Sequence, residues 1–362
     1  MNSRCHLVLW AWVAFLAAGP VSASASGSVS ASGSECVRVA FYNVENYFDC
    51  VDDPRTSDEE FTPEGAKRWT WKRFWTKTDN LVKALTSLGQ DRSFPDIFGL
   101  AEVENEWVVN SLIKRGGMKD SHRVIHRDSP DARGIDVCLV YNRYVFRPTD
   151  SLFLTVSFPK QARRTTRDLL YVKGLLPDGQ PLHLIVSHWP SKSGGEAVSE
   201  PLRCRVAECI RAVADSILSD DASARLIIMG DFNDAPYEKS VSVSLGAVAP
   251  SSGEAGSGSS SPSSSSSAFS SAAPVLYDLM FPLEEHAAVK SYKYQGVWSM
   301  LDQMVVSAPL KELEAKVYHP GFLMTEDATY MGLKPARTYV GYRYQGGFSD
   351  HLPVYLDLPL LP

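Results

Sequence analysis

Cysteine is scarce in this chain, and none of it has the CxxC spacing of a metal site. There are six cysteines in 362 residues. Positive charge is also short: 36 Lys and Arg stand against 42 Asp and Glu, a formal net charge of −6. That balance argues against a broad polyanion-binding surface, though not against a local basic patch. The apolar run LVLWAWVAFLAAG follows Arg4 and is too short to span a bilayer comfortably. It leads to Ala23-Ser24-Ala25, the small-x-small pattern of a signal-peptidase site. A lipobox is missing, since Glu35 precedes Cys36 and Cys5 lies before the run. Residues 1–25 therefore read as a signal peptide and 26–36 as a Ser/Gly-rich spacer, with a retained anchor as the alternative. The expected location is periplasmic or extracellular. Cys36 and Cys50 could bridge there, and Cys138 in VCLVY reads as a core residue.

What is present is enough for a sizeable core, at 44% hydrophobic residues. Strand-like alternation or short apolar runs occur at 37–48, 96–104, 135–141, 169–176, 181–190, 226–232, 299–307 and in the terminal LPVYLDL. A helix is expected over 72–88, where Phe74, Leu81, Val82, Leu85 and Leu88 share a face, and a second from Ser199-Glu200-Pro201 to about Leu218. Residues 246–274 are mostly Ser, Ala and Gly with no apolar period, a composition that cannot offset its own ordering entropy. They read as a low-complexity insert in one domain over 37–362. Regular βαβ repeats are missing, so two packed sheets with helices outside fit better than a doubly wound sheet.

Polar residues recur where the apolar strands end. Asn43 and Glu45 follow VRVAFY, Glu102 and Glu104 follow DIFGLA, His188 follows LHLIVS, and Asp231 and Asn233 follow LIIMG. Asp302 sits in SMLDQMVVS, and Asp350 with His351 opens the last strand. Such a series points to one cleft built from strand ends. Its donors are mostly oxygen, with two histidines and no thiol, a set suited to Mg²⁺ or Ca²⁺ rather than zinc. A hard cation of this kind polarises a phosphoryl oxygen, an Asp activates water, and a histidine held by a carboxylate donates to phosphate.

The motifs NVEN (43–46), AEVEN (101–105), SHWPSK (187–192), GDFND (230–234), LDQ (301–303) and SDH (349–351) occur in that order. The chain thereby resembles the endonuclease/exonuclease/phosphatase superfamily (deoxyribonuclease-I-like) from about Val37 to Leu358. TPEG and SPDARGID add a likeness to its exported bacterial type. The resemblance implies a four-layer α/β sandwich of two packed mixed β-sheets flanked by helices. It implies Glu102 as principal metal ligand, assisted by Asn43 and Asp350, with Mg²⁺ as the ion, Mn²⁺ as its substitute and Ca²⁺ as a further candidate. Asp231 would align or activate water, Asn233 would fix Asp231 and the phosphate, and His351, oriented by Asp302, would contact the scissile phosphate. His188 matches the additional histidine of the deoxyribonuclease and sphingomyelinase branches, with Asp136 as the candidate carboxylate behind it.

Plainer readings stand beside these. Each carboxylate could be a solvated strand end, and each Asp or Asn a turn cap. Lys192 is the better phosphate contact, and the Arg163, Arg164 and Arg167 cluster is a second candidate, Arg164 foremost. KRWTWKRFW (67–75) suits a nucleic-acid surface or a helix packed on the core. The expected substrate is a phosphate ester, a nucleic acid or nucleotide first, with membrane phospholipid or inositol phosphate as the alternative. A non-catalytic module on the same fold is the rival from another class. No obligate protein partner is inferred.

Overall fold

The computed structural model describes residues 36–91, 93–158, 165–250 and 274–361. The expected signal peptide, most of the spacer, residues 251–273 and Arg163 and Arg164 lie outside them. Eight strands carry most of the framework: β1 (Cys36–Tyr47), β2 (Ile97–Val103), β3 (His122–His126), β4 (Asp136–Asn142), β5 (Arg147–Leu154), β6 (Leu169–Leu175), β7 (Pro181–His188) and β8 (Arg225–Asp231). The main helices are α1 (Trp71–Leu88), α2 (Glu106–Arg115) and α3 (Glu196–Asp220). A six-stranded sheet runs in the order Ala315–Val317, Val354–Pro359, β1, β2, β4, β3. A seven-stranded sheet runs β5, β6, β7, β8, Asp302–Ser307, Leu276–Asp278, Ala247–Val248.

Strand alternation separates the layers. Val37, Val39 and Phe41 of β1 face the same buried cluster as Leu182, Leu184 and Val186 of β7 and Ile227 and Met229 of β8. These inward residues form the seam between the two sheets. Their neighbours point outward: Ala40 and Tyr42 pack with Phe74, Leu81 and Leu85 of α1 and Val109 and Leu112 of α2. On the far side, Ile185, Leu226 and Ile228 pack with Leu202, Val206 and Ile210 of α3. Three buried clusters thus fill the three interfaces of a four-layer α/β sandwich, the architecture expected.

Several local expectations shift. Helix α2 is too short for its apolar period to stand out in the sequence, yet Asn105 caps it by accepting from Val108 N at 3.0 Å. Helix α3 starts at Glu196, before the expected Ser199, because Gly194 and Gly195 turn the chain at φ 89° and 101°. The strand expected from 299 begins at Asp302. Cys36 opens the extended strand β1 and Cys50, buried, lies beyond its far end, a separation that excludes the Cys36–Cys50 bridge. Burial pushes the Cys50 thiol up to about 12. Cys138 lies in the core. Of the aromatic–basic stretch, Trp69 is buried and donates Nε1 to Phe48 O at 2.9 Å, whereas Trp71 and Trp75 are exposed. The Ser-rich insert expected from 246 begins later, since Ala247–Val248 pairs in parallel with Leu276–Tyr277. The chain leaves for 251–273 and returns at one edge of the seven-stranded sheet.

Candidate active site

Strand direction explains why polar strand ends meet. Strands β1 and β2 run parallel, as do β7 and β8, so each pair delivers its C-terminal ends to one rim. Asp302–Ser307 runs antiparallel to β8, and Val354–Pro359 antiparallel to β1, so they deliver their N-terminal beginnings to that rim. Register then sets neighbours: His188 lies opposite Asp231, and Asp302 opposite Asp231. Asn43, His188, Asp231 and Asp302 keep the parity of the seam-facing residues of their strands. The cluster is therefore the polar end of the inter-sheet core.

Backbone strain collects at this rim. Of the eight non-glycine residues with positive φ among those described, Glu45 (51°), Asn46 (52°), Glu102 (63°) and Asn233 (53°) belong to the motifs. Glu102 is the residue at which the β2 register slips against both β1 and β4. A bulge of this kind re-aims a side chain at roughly 1 kcal/mol or more of local strain. Its Oε2 accepts from Asn46 N at 2.8 Å, and Asn43 Nδ2 lies 3.4 Å from Oε1.

Asp231 Oδ2 is the focus. It accepts from Asn43 Nδ2 at 3.0 Å and lies 3.5 Å from His188 Nε2 and 3.7 Å from His351 Nε2. Its other oxygen accepts from Asn233 N at 2.9 Å. Burial raises the Asp231 carboxyl to about 7; His351 works against that rise and Asp302 adds to it. His351 Nδ1 is 2.7 Å from Asp302 Oδ2. Burial would lower the His351 imidazole, but Asp302 and Asp231 overcome it and hold its pKa well above the usual value. His188 goes the other way, lowered well below the ordinary range by burial and then by Arg167 and Arg133. Asp231 thus lies between one imidazole shifted toward its protonated form and one shifted toward its neutral form.

The structure thus brings Asn43, Glu102, His188, Asp231, Asp302 and His351 together, with Asn233 as a brace. It departs from expectation at four places. Asp350 Oδ2 is taken by Arg337 Nη2 at 2.5 Å, leaving Oδ1 as the atom it would offer an ion. Asp136 does not support His188: its Oδ2 lies 3.3 Å from His126 Nε2, and His188 Nδ1 is buried with no hydrogen-bond partner. Lys192 is caged by Glu238 at 2.6 Å, Asp234 at 3.1 Å and Glu196 at 3.4 Å, so a phosphate would have to displace carboxylates. Arg167 is a buried brace that donates Nη2 to Trp189 O at 2.7 Å, the carbonyl that also accepts from Asn233 Nδ2.

Of the residues behind the rim, Glu45 and Ser349 lie in the NVEN and SDH motifs, whereas Lys77 and Thr338 lie in none. Lys77 of α1 is buried and donates to Thr338 Oγ1 at 2.5 Å and to Phe348 O. Glu45 accepts from Thr338 N at 2.6 Å and is raised to about 7 by burial and by Asp350. Burial lowers Lys77 to about 8, with Glu45, Asp350 and Glu102 opposing. Ser349 Oγ donates to Asn43 O at 2.6 Å and receives His351 N at 3.1 Å, tying the last loop to β1. For Lys77 the sequence hint is a lysine among the apolar positions of a helix.

A cation fits this donor set. Buried Asp231 and partly buried Glu102 crowd the same Asn43 amide, and each retains an oxygen with no cationic side chain bonded to it. Asn43 turns Nδ2 to these carboxylates while its Oδ1 accepts from Glu45 N at 3.0 Å, so the carboxylate oxygens are the atoms that suit a hard ion.

The model of the Endonuclease/Exonuclease/phosphatase family matches residues 38–359. No curated protein is similar enough in sequence to match. Among solved structures, truncated TDP2 of Caenorhabditis elegans superposes with TM-score 0.54 at 14% identity, over 89% of this chain and 97% of that one. A mannosyl-6-phosphatase of Bacteroides thetaiotaomicron gives 0.51 at 14% over 89% and 99%. The human Nocturnin catalytic domain with bound sulfate gives 0.51 at 15% over 89% and 94%. At these identities the likeness is one of fold.

Proposed function

Since the chain belongs to the endonuclease/exonuclease/phosphatase family, whose members are hydrolytic phosphoesterases that generally use divalent metal ions, we propose that it is an exported Mg²⁺-dependent phosphodiesterase acting on nucleic acid or nucleotides. The observation that carries this reading is Asp231 Oδ2 set between the imidazoles of His188 and His351, 3.5 and 3.7 Å away. Glu102 and Asn43 would hold the cation, with Asp350 Oδ1 as the oxygen that Asp350 could add, and the ion when bound would supply positive charge to the phosphoryl oxygens.

The rest is done by side chains in place. Asp231, raised to about 7, accepts a proton from the attacking water near neutral pH. Asn233 N fixes the carboxylate so that Oδ2 faces the reacting water. His351, held as imidazolium by Asp302, donates from Nε2 toward the phosphoryl oxygen, where negative charge grows in the transition state. His188 contributes an uncharged Nε2–H beside the same oxygen.

The test is hydrolysis of a panel with and without Mg²⁺: plasmid DNA, RNA, bis-p-nitrophenyl phosphate, mannose 6-phosphate, sphingomyelin and inositol phosphates. Cation-dependent cleavage of nucleic acid and of the diester is expected. Turnover of the monoesters or the lipid alone would replace the proposed substrate class, and no turnover of any would remove the activity.

A further inference from the structure

Three groups of ionisable side chains among the described residues have ligand-like spacing: Asp231 with Asp302 and His351, Glu196 with Asp234 and Glu238, and His126 with Asp128 and Asp136. The first is the candidate active site. The second already surrounds a cation, the Lys192 ammonium. The third has Arg55 at its outer edge, with Nη2 3.7 Å from Asp128.

We propose that His126, Asp128 and Asp136 form a second divalent-cation site, suited to Zn²⁺ or Mn²⁺, that clamps the loop between β3 and β4. Three observations carry it. One donor atom from each residue lies within 4.8 Å of the other two. The His126 side chain is only 2% exposed, and its Nε2 makes no hydrogen bond although it is aimed at Asp136 Oδ2 from 3.3 Å. That spacing is what two ligands about 2.0–2.1 Å from one tetrahedral ion would show, roughly 3.3 Å. Finally, Asp128 and Asp136 line an open cavity of about 730 Å³, which gives an ion a path in. Asp168, also among the cavity's lining residues, has a buried Oδ1 with no hydrogen-bond partner, while its Oδ2 accepts from Arg127 Nη2 at 2.5 Å.

The donor chemistry selects the ion. One imidazole nitrogen with two carboxylates is a mixed set that suits Zn²⁺ or Mn²⁺ better than Mg²⁺, which prefers oxygen and keeps its waters. Asp136 is already oriented, with Oδ1 accepting from Ser129 N at 3.0 Å. Asp128 is exposed, with Oδ2 3.7 Å from Arg55 and Oδ1 3.9 Å from His126 Nδ1, so it would turn from the Nδ1 side to share an ion with Nε2. The consequence reaches the rim through a chain of hydrogen bonds: the clamped loop carries Asp131, whose Oδ2 holds Arg167 Nη1 at 3.3 Å. Arg167 in turn holds the Trp189 carbonyl that also anchors Asn233.

Zinc titrated into the full chain by calorimetry, without substrate, tests the site whether or not the protein is a phosphoesterase. A Glu102→Gln background weakens binding at the rim and leaves the second site as the main Zn²⁺ phase. In that background Asp128→Asn should lower Zn²⁺ affinity about tenfold or more. His126→Gln should remove the phase, and amide exchange over residues 127–135 should slow on adding Zn²⁺ only where the site is intact. Asp128 is exposed, so its variant folds even where the His126 variant does not. Unchanged Zn²⁺ stoichiometry and affinity in the Asp128 variant would overturn the site, as would exchange in 127–135 that ignores the metal.

Discussion

His351 Nδ1 and Asp302 Oδ2 meet at 2.7 Å across a sequence separation of 49 residues, both buried. Asp302 begins its strand opposite Asp231, so its carboxylate is fixed by β-sheet register, with Ser291 Oγ accepting Asp302 N at 3.1 Å. Tyr292 closes the far side, its ring 4.7 Å from the imidazole. His351 is thus oriented through its partner rather than by its own loop. His351→Ala should cut turnover by roughly two to four orders of magnitude. Asp302→Asn should cause much of the same loss and move the alkaline limb of the pH–rate profile downward, because an amide does not sustain the imidazolium. The double variant should be little worse than His351→Ala. Strictly multiplicative losses would show two independent residues.

Glu102 offers a different kind of test, because it combines a positive φ with a partly buried carboxylate. Glu102→Gln keeps the size and the Asn46 contact but loses the charge. Mn²⁺ affinity measured by electron paramagnetic resonance should fall by at least about tenfold while the melting temperature stays within a few degrees. EDTA should abolish diester hydrolysis by the wild type, with Mg²⁺ or Mn²⁺ restoring it. Full activity in EDTA would refute the cation's role.

Much of this site is readable because its residues sit at the ends of apolar strands, and sheet register carries strand ends to one rim. Asn43, Glu102, His188, Asp231 and Asp302 are legible for that reason. Pairings across the fold are not. Arg337 reaches Asp350 and Lys77 of α1 reaches Thr338 through loops with no strand or helix period, and Asp136 turns to His126 on the neighbouring strand β3, contacts that no local pattern encodes. Lys192 follows His188 closely in sequence, yet α3 and the turn after β8 bring it three carboxylates instead. The exposed Trp71 and the buried Trp69 differ by two positions because Trp71 lies in the first turn of α1, which buries one face only.

Asp278 should govern part of the pH dependence of stability. It is fully buried, Oδ1 accepts from Met280 N at 2.9 Å, and Oδ2 has no hydrogen-bond partner. Burial raises its carboxyl from 3.8 to about 7. The folded state therefore binds this proton more tightly than the unfolded state, so its contribution to stability falls as pH rises from about 4 through 7 and is flat above. Asp278→Asn removes that loss. The variant should match the wild type near pH 4 and exceed it by roughly 2–4 kcal/mol at pH 8 in urea unfolding. A pH-independent difference would mean that Asp278 is ionised in the folded protein.

Gly230 controls the spacing of the two strands that present His188 and Asp231. It lies opposite Ser187 in the parallel pairing of β7 with β8. A Cβ added to it would sit 2.0 Å from Ser187 O. The obstacle is backbone on a central strand, flanked on the other side by Gln303, so no rotamer change relieves it. Gly230→Ala must push β7 from β8, at a cost of about 3 kcal/mol or more by analogy with overpacked cores. Because Ser187 precedes His188 and Gly230 precedes Asp231, the same displacement widens the 3.5 Å gap between His188 Nε2 and Asp231 Oδ2. Gly117 separates this effect from backbone strain: its φ is 75°, and a Cβ added there would meet no atom within 4 Å. Gly117→Ala should cost only about 1 kcal/mol and leave turnover unchanged. Gly230→Ala should lower the melting temperature by several degrees more than Gly117→Ala, and any folded fraction should turn over substrate at least about a hundredfold more slowly. Equal melting shifts with normal turnover would show that β7 and β8 tolerate the extra methyl, and that the rim does not depend on their close approach.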